Sequence, residues 1–520
     1  MDSLVIFIPL LPLLAAVMIA MDQLLGQLYQ APGEAFTAKL SLAAMILAAL
    51  ASISLLITEQ LGKNSGVYPL GTWLKSDGLN ISLNLITVGF NLQVTAFCAS
   101  LLLLIMRFSI KSLHCEVGYH RYFMLLNVFA AALFLLLLSD NLLLMFVGWS
   151  AGSVCAFVLI AYAYEQPVAG FNAMRVFLTH RLGDVGFLLG IGLSYSWLGS
   201  VTVPDLTTLV VDLEATGSTT LALCFVIAAS ARSAQFPFTP WMARAMEGPA
   251  TGTAAFFGAT YIHSGVFLLI TLRSVMTQSP IAMTVLLVLG MLTALYSRMV
   301  SLTQTDIKSA LSFAITGQLG LIFMECGLGY WQLAVWHTLL HVLVRTYQLL
   351  NVPNFLQQTR GIPASPLMPR LAKVRWAFMA SLQRFWLDPL TDWLLVNPVL
   401  RLGKDLSYFD DHIVNALMGV PAPAMNALAT LAQLEEQRIG AQLDNEVDIF
   451  ARGSGLAGKL LEGTAVILQW IEERLVIRGL HEDAIRYGYH IGMIANRIEQ
   501  LLLRPRYLSM FVFITLLVVF

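Results

Sequence analysis

Between Leu302 and Leu350 the chain runs LTQTDIKSALSFAITGQLGLIFMECGLGYWQLAVWHTLLHVLVRTYQLL. A charged opening with Asp306 and Lys308 leads into two apolar segments that carry Glu325, His337, His341 and Arg345. A soluble domain has no use for so long an apolar stretch. Ionisable groups at membrane depth are costly, and they mark an ion path or a partner pair. The segment therefore reads as part of an integral membrane protein that handles charge.

Composition agrees. Of 520 residues, 58% are hydrophobic and 12% charged, about half the charged share of soluble domains. A net charge of −1 disfavours nucleic acid as a partner and leaves the lipid bilayer as the natural surroundings. Five scattered cysteines (Cys98, Cys115, Cys155, Cys224, Cys326) have no CxxC spacing, so neither a disulfide framework nor a metal site is expected. The apolar N-terminus lacks a basic leader and a small-residue cleavage site, and reads as a first transmembrane helix.

About 20 apolar residues span a bilayer. Eleven candidates follow: 3–21, 38–58, 85–107, 120–139, 141–163, 172–197, 218–232, 251–274, 281–300, 308–327 and 330–350. The seventh is short and runs into Pro237, Pro240 and Pro249, which predicts a broken helix. Alternating the spans puts Arg107, Lys111, Arg121, Arg175, Arg232, Arg244, Arg298, Lys308, Arg360, Arg370, Lys373 and Arg375 on one side. Lys63, Lys75 and Arg273 fall on the other. Basic loops face the cytoplasm, so the expected setting is the inner (cytoplasmic) membrane with the N-terminus outside.

Past Asn351 the character changes. Residues 351–424 read as a Pro-rich linker and interfacial helices, including the aromatic, amphipathic segment 384–400. Residues 425–506 carry both charge signs and an apolar stripe through Leu456, Leu460, Ile467, Ile471 and Leu475. That pattern fits either a solvated helix with a core face or a lateral helix along a membrane surface or partner. Residues 507–520 are apolar but short.

Four segments carry a family resemblance: SDNLLLMFVGW (139–149), AGFNAMRVFLTHRLGDVGFLLG (169–190), RSAQFPFTPWMARAMEGP (232–249) and LTQTDIKSALSFAITGQLG (302–320). They resemble the antiporter-like subunits of respiratory complex I and of Mrp antiporters, in particular the large NuoL-type subunit (also NdhF and MrpA), over roughly the first 350 residues. The resemblance implies an all-α membrane protein. Its parts would be an antiporter-like helical bundle with a truncated second repeat, a long amphipathic lateral helix and a short C-terminal membrane anchor.

In that family a proton path uses carboxylates and lysines joined by histidines and water, because a nearby carboxylate holds a lysine charged until the partner moves. Here the family's glutamate after the GW motif is Ser150, and its lysine in the following motif is Arg232. Its next histidine aligns with Phe257, with His263 a little further on, and a later lysine is Arg345. Arginine does not release its proton in proteins. The candidate path is therefore Lys308, His337 and His341, with Asp306 and Glu325 as carboxylate partners. Ser150, Arg232, Arg345 and His263 are replaced or fixed-charge positions. His337 and His341 share a helix face and fit a relay or a structural hydrogen-bonding role. His180 and His263 read as structural, Arg181–Asp184 as a local ion pair, and Arg232–Glu247 as a loop pair.

No phosphate loop, nucleophile constellation or metal cluster appears, so the chain reads as a transport subunit without cofactor rather than an enzyme by itself. Three functions compete. MECGLGYWQLAVWH (324–337) resembles the DabB-type subunit of inorganic-carbon accumulation complexes, which implies carbon dioxide or bicarbonate uptake with a zinc-containing DabA-type partner. The second is a proton- or sodium-moving subunit among the other membrane subunits of a complex I, hydrogenase or Mrp assembly. The third is a degenerate, non-conducting scaffold.

Overall fold

The computed structural model describes residues 2–26, 33–76, 79–249, 252, 261–304, 306–352 and 374–409. The predicted lateral helix, the terminal apolar segment and Phe257 lie outside the described residues. The chain divides into two units, Met1–Pro398 and Val399–Phe520. The second contributes only 399–409 to what is described, in the helix Asn397–Phe409.

The first unit is a helical bundle with one β-hairpin. After a 3₁₀ turn come α1 (Phe7–Gly26) and α2 (Glu34–Gln60). Strands β1 (Val67–Ser76) and β2 (Leu79–Ile86) follow, then α3 (Gly89–Ser112), α4 (Tyr119–Leu138), α5 (Leu142–Ile160) and α6 (Pro167–Leu198). The short α7 (Val203–Leu209) precedes α8 (Ala215–Arg232) and α9 (Pro240–Arg244). Next are α10 (Ser264–Thr271), α11 (Arg273–Thr277), α12 (Pro280–Ser301), α13 (Ile307–Gly327) and α14 (Trp331–Leu350). The unit closes with α15 (Arg375–Leu382) and α16 (Leu387–Thr391).

Among the described residues, nine helices are long and apolar enough to cross a membrane. Two of the eleven predicted spans are not among them. The expected span at 251–274 is replaced in its described part by a 3₁₀ turn, Tyr261–His263, and the eight-residue α10. α14 has the length, with 20 residues, but its histidines and Arg345 lower its apolar content. The expected break at 218–232 falls later: α8 is regular to Arg232, and the irregular backbone begins at Ser233. The hairpin 67–86, antiparallel throughout, was not anticipated. Its second strand overlaps the start of the predicted third span.

Helix starts follow local chemistry. Asn141, Ser279 and Asp306 each accept a hydrogen bond from a first-turn N–H of α5, α12 and α13, at 2.7, 3.1 and 2.8 Å. Such caps contribute about 1 kcal/mol each. Pro167 and Pro280 occupy the first helical turn, where a missing N–H costs nothing.

Small residues set the helix spacing, as expected where lipid gives no hydrophobic drive for helix association. A Cβ on Gly320 would lie 2.7 Å from the Gly290 carbonyl oxygen, so α12 and α13 touch backbone to backbone. A Cβ on Gly183 would lie 2.8 Å from the Ala231 Cβ, so α6 and α8 are equally close. This second approach brings Asp184 within reach of Arg232.

Candidate functional site

Two polar clusters lie inside the bundle, and one helical turn joins them. The first centres on Asp184 of α6. Its Oδ1 accepts from Trp149 Nε1 at 2.8 Å and from Arg232 at 3.1 Å. Its Oδ2 lies 2.8 Å from the Arg181 guanidinium. The Arg232 side chain is only 1% exposed and that of Asp184 5%. Arg232 also stacks 4.2 Å from the Trp149 ring and 4.6 Å from the Tyr261 ring, and it donates to the Tyr261 hydroxyl.

The buried cation finds its carboxylate on α6, while α5 presents Ser150. Ser150 accepts from Arg181 at 3.3 Å. The expected Arg232–Glu247 pair does not form: Glu247 accepts from Asn172 at 3.3 Å. Arg232 is not a surface charge of the basic side either, because α8 carries it into the bundle. The Arg181–Asp184 pair is present, but as part of this three-charge cluster rather than alone.

The second cluster lies between α13 and α14, which run antiparallel. His337 Nδ1 is 2.8 Å from Glu325 Oε1, and its Nε2 is 3.0 Å from Gln318 Oε1. One turn on, the His341 ring centroid is 6.3 Å from that of His337. The two rings do not hydrogen-bond to each other: the His337 nitrogens are taken by Glu325 and Gln318. His341 Nδ1 then meets His263 Nε2 at 2.9 Å.

Arg345 decides the protonation of this pair. Its Nε donates to His341 Nε2 at 3.2 Å. Guanidinium has donors only, so His341 Nε2 holds a lone pair and the ring is neutral with its proton on Nδ1. That proton points at His263 Nε2, so His263 carries its own on Nδ1. The His263 Nδ1 is buried and has no hydrogen-bond partner among the described residues. His263 borders a small apolar cavity of about 40 Å³ lined by Phe97, Leu133, Phe267 and Val342. His337 differs. Its two nitrogens face a carboxylate and an amide oxygen.

The turn Tyr261–His263 links the clusters. Tyr261 donates to the Trp149 carbonyl at 3.0 Å and packs by Arg232, while His263 meets His341. His263 was expected to be a lone structural residue; the fold gives it a titratable partner. The predicted residues Glu325, His337, His341, Arg345 and His263 thus come together. Asp306 and Lys308 do not join them. Asp306 caps α13 through the Ser309 N–H. Half-buried Lys308 makes no ion pair or hydrogen bond among the described residues, and it stands ten residues, or about 15 Å of helix, from Gln318.

The sequence reading missed Trp149, Tyr261 and Gln318 altogether and saw Asp184 only as a local partner. Its signal was a carboxylate inside an apolar helix.

The comparisons with known proteins match this architecture. Residues 139–382 match the family described as NADH:quinone oxidoreductase/Mrp antiporter, transmembrane. NADH-quinone oxidoreductase subunit L of Escherichia coli (strain K12) is 30% identical over 292 residues, covering 56% of this chain and 48% of the relative. A protein of Halothiobacillus neapolitanus named probable inorganic carbon transporter subunit DabB1 is 31% identical over 396 residues, covering 73% of this chain and 66% of the relative. The Mrp complex from Dietzia contains a chain that matches 96% of this one and 63% of its own length, with a TM-score of 0.58 and 18% identity. At that identity the likeness shows the fold alone. The chain spans about half the length of the subunit L relatives it matches. It belongs to the antiporter-like family of multi-pass membrane subunits found in NADH:quinone oxidoreductases and Mrp antiporters.

Proposed function

We propose that this chain is the membrane subunit of an inorganic-carbon uptake complex that draws on a proton gradient. One observation carries the reading. The relative named as a probable inorganic carbon transporter subunit aligns over 73% of this chain, against 56% for subunit L of E. coli. The partner in this reading is a zinc-containing subunit of the DabA type that converts carbon dioxide to bicarbonate. The bundle sits in the cytoplasmic membrane with its N-terminus outside and its basic loops inside.

The ion is the proton. Sodium and other hard cations take shells of oxygen ligands, whereas the titratable cluster offers three imidazoles and one carboxylate around a guanidinium. In the proposed path Glu325 and His337 hold a proton together and water passes it to His341. Accepting it at Nε2 requires Arg345 to swing away, so Arg345 gates the step, and His263 carries the proton on. Lys308 stands at the basic mouth of the path, with Asp306 capping the helix that carries it. Arg232 stays a fixed charge.

The arginine-locked Asp184 cluster favours a second reading, a non-conducting scaffold, because neither Arg232 nor Arg181 releases a proton. The two readings separate by experiment. In cells whose growth depends on this complex at low inorganic carbon, replace His337 and His341 together with Phe and Leu. Gradient-driven uptake should be lost while the partner still co-purifies. Full uptake with intact assembly would leave the scaffold reading standing. Arg345→Gln, which frees His341 Nε2, should change the pH dependence of uptake without breaking the assembly.

A further inference from the structure

Among the described residues, one cluster of metal-ligating side chains is brought together outside the bundle core. The loop between α3 and α4 carries His114 and Cys115 in succession, and it lies against Glu34 in the first turn of α2. His114 Nδ1 is 2.7 Å from Glu34 Oε2. The Cys115 N–H donates to Glu34 Oε1 at 3.1 Å, and Cys115 Sγ is 3.5 Å from His114 Nε2. One ligand atom from each residue lies within 4.8 Å of the others. Two successive residues reach the same carboxylate because Cys115 takes a left-handed backbone, φ +63°, which is rare for a residue other than Gly.

We propose that Glu34, His114 and Cys115 form a surface site for a borderline divalent cation, with Zn²⁺ the best fit. The donor chemistry selects the metal. A thiolate, an imidazole and a carboxylate make a mixed S, N, O set that Zn²⁺ accepts and that Mg²⁺ and Ca²⁺ do not. Thiolate and carboxylate together supply two negative charges, which neutralise the ion. Zinc–ligand bonds of about 2.0–2.3 Å put neighbouring donors of a tetrahedron roughly 3.3–3.8 Å apart. The observed spacing closes to that range by side-chain rotation alone, because the His114 side chain is 71% exposed and Cys115 is exposed. Three protein ligands leave the fourth position to water or to an incoming donor. The bound ion would replace the Glu34–His114 pair and staple the α3–α4 loop to the start of α2.

The site has a clean readout, since Cys115 is the exposed one of the five cysteines. In the tag-free, full-length protein in detergent, Zn²⁺ should slow maleimide labelling of Cys115. Co²⁺ should give a sulfur-to-metal charge-transfer band that Zn²⁺ bleaches. Cys115→Ser should abolish the band, and His114→Ala or Glu34→Gln should weaken Zn²⁺ binding by about tenfold or more. Affinity should fall on acidification, because imidazole and thiol must shed protons to bind. His114 and Cys115 are exposed and Glu34 is part-exposed at a helix start, so the variants keep the fold. Unchanged labelling with Zn²⁺, or equal Zn²⁺ affinity in the wild type and the His114→Ala, Cys115→Ser double variant, would overturn the proposal.

Discussion

Asp184 and Arg232 offer a sharp test of how charge is held inside this bundle. Replace Asp184 with Leu alone and Arg232 keeps its charge with no carboxylate, at 1% exposure. Removing one partner of a buried pair costs about 3–5 kcal/mol. Replace Arg232 with Met alone and Asp184 keeps the Trp149 Nε1 donor and the Arg181 ion pair, so the cost falls toward the lower end of that range. The double variant, Asp184→Leu with Arg232→Met, removes both charges. It leaves Trp149 Nε1 without its acceptor, a loss of about 1–3 kcal/mol. The Tyr261 hydroxyl still donates to the Trp149 carbonyl. The sum of the single costs should therefore exceed the double cost by roughly 3 kcal/mol or more, a coupling expected of residues in direct contact. In a detergent melt followed by tryptophan fluorescence, each kcal/mol corresponds to about 2–4 °C in larger domains. Asp184→Leu should then lower Tm by several degrees, and adding Arg232→Met should recover much of the loss. A double variant no more stable than Asp184→Leu would refute the reasoning, and so would a single Asp184→Leu that costs nothing.

Two further outcomes follow from the packing and from a titrating group outside the spans. Gly320→Val should destabilise the bundle by about 1–3 kcal/mol, because even a Cβ would press on the Gly290 carbonyl and the Ala294 N–H; Gly192→Ala, with open space around it, should be neutral or slightly stabilising in the same melt. Asp140, between α4 and α5, accepts from Asn84 of the hairpin at 2.7 Å; burial, with Asp205 nearby, holds its carboxyl above the usual carboxylate range. Its folded pKa is raised, so its contribution to stability is present below the unfolded pKa and is lost as pH rises through the folded one. Asp140→Asn should flatten that slope, and Tm measured across the mildly acidic range in both proteins checks it.

Parts of this architecture were legible from residue order because they rest on short-range patterns. Most long apolar runs mark a span, since a bare backbone polar group is intolerable in lipid. Family motifs located α5, α6, the segment after α8, and α13. The four-residue spacing of His337 and His341 put them on one face of α14. The hairpin was not legible, because Leu79–Ile86 reads as apolar lead-in to the next span. The end of the seventh span at Arg232 was legible, because the apolar run stops there and prolines follow.

Contacts across the bundle could not be read the same way. Sequence by itself determined that this chain is a helical membrane bundle with ionisable groups at depth, and that arginine and serine stand where its family resemblance calls for lysine and glutamate. Only the tertiary structure decided which groups meet. Asp184, not Glu247, satisfies Arg232, because Gly183 lets α6 approach α8. His263 meets His341 across 78 positions of chain, and Lys308 stays apart from both histidines. The physical reason is that span formation depends on neighbours along the chain, whereas a buried charge takes the partner that helix packing carries within about 3 Å. For Asp184 and Arg232 that approach is set by Gly183 of α6 against Ala231 of α8, not by spacing along one helix.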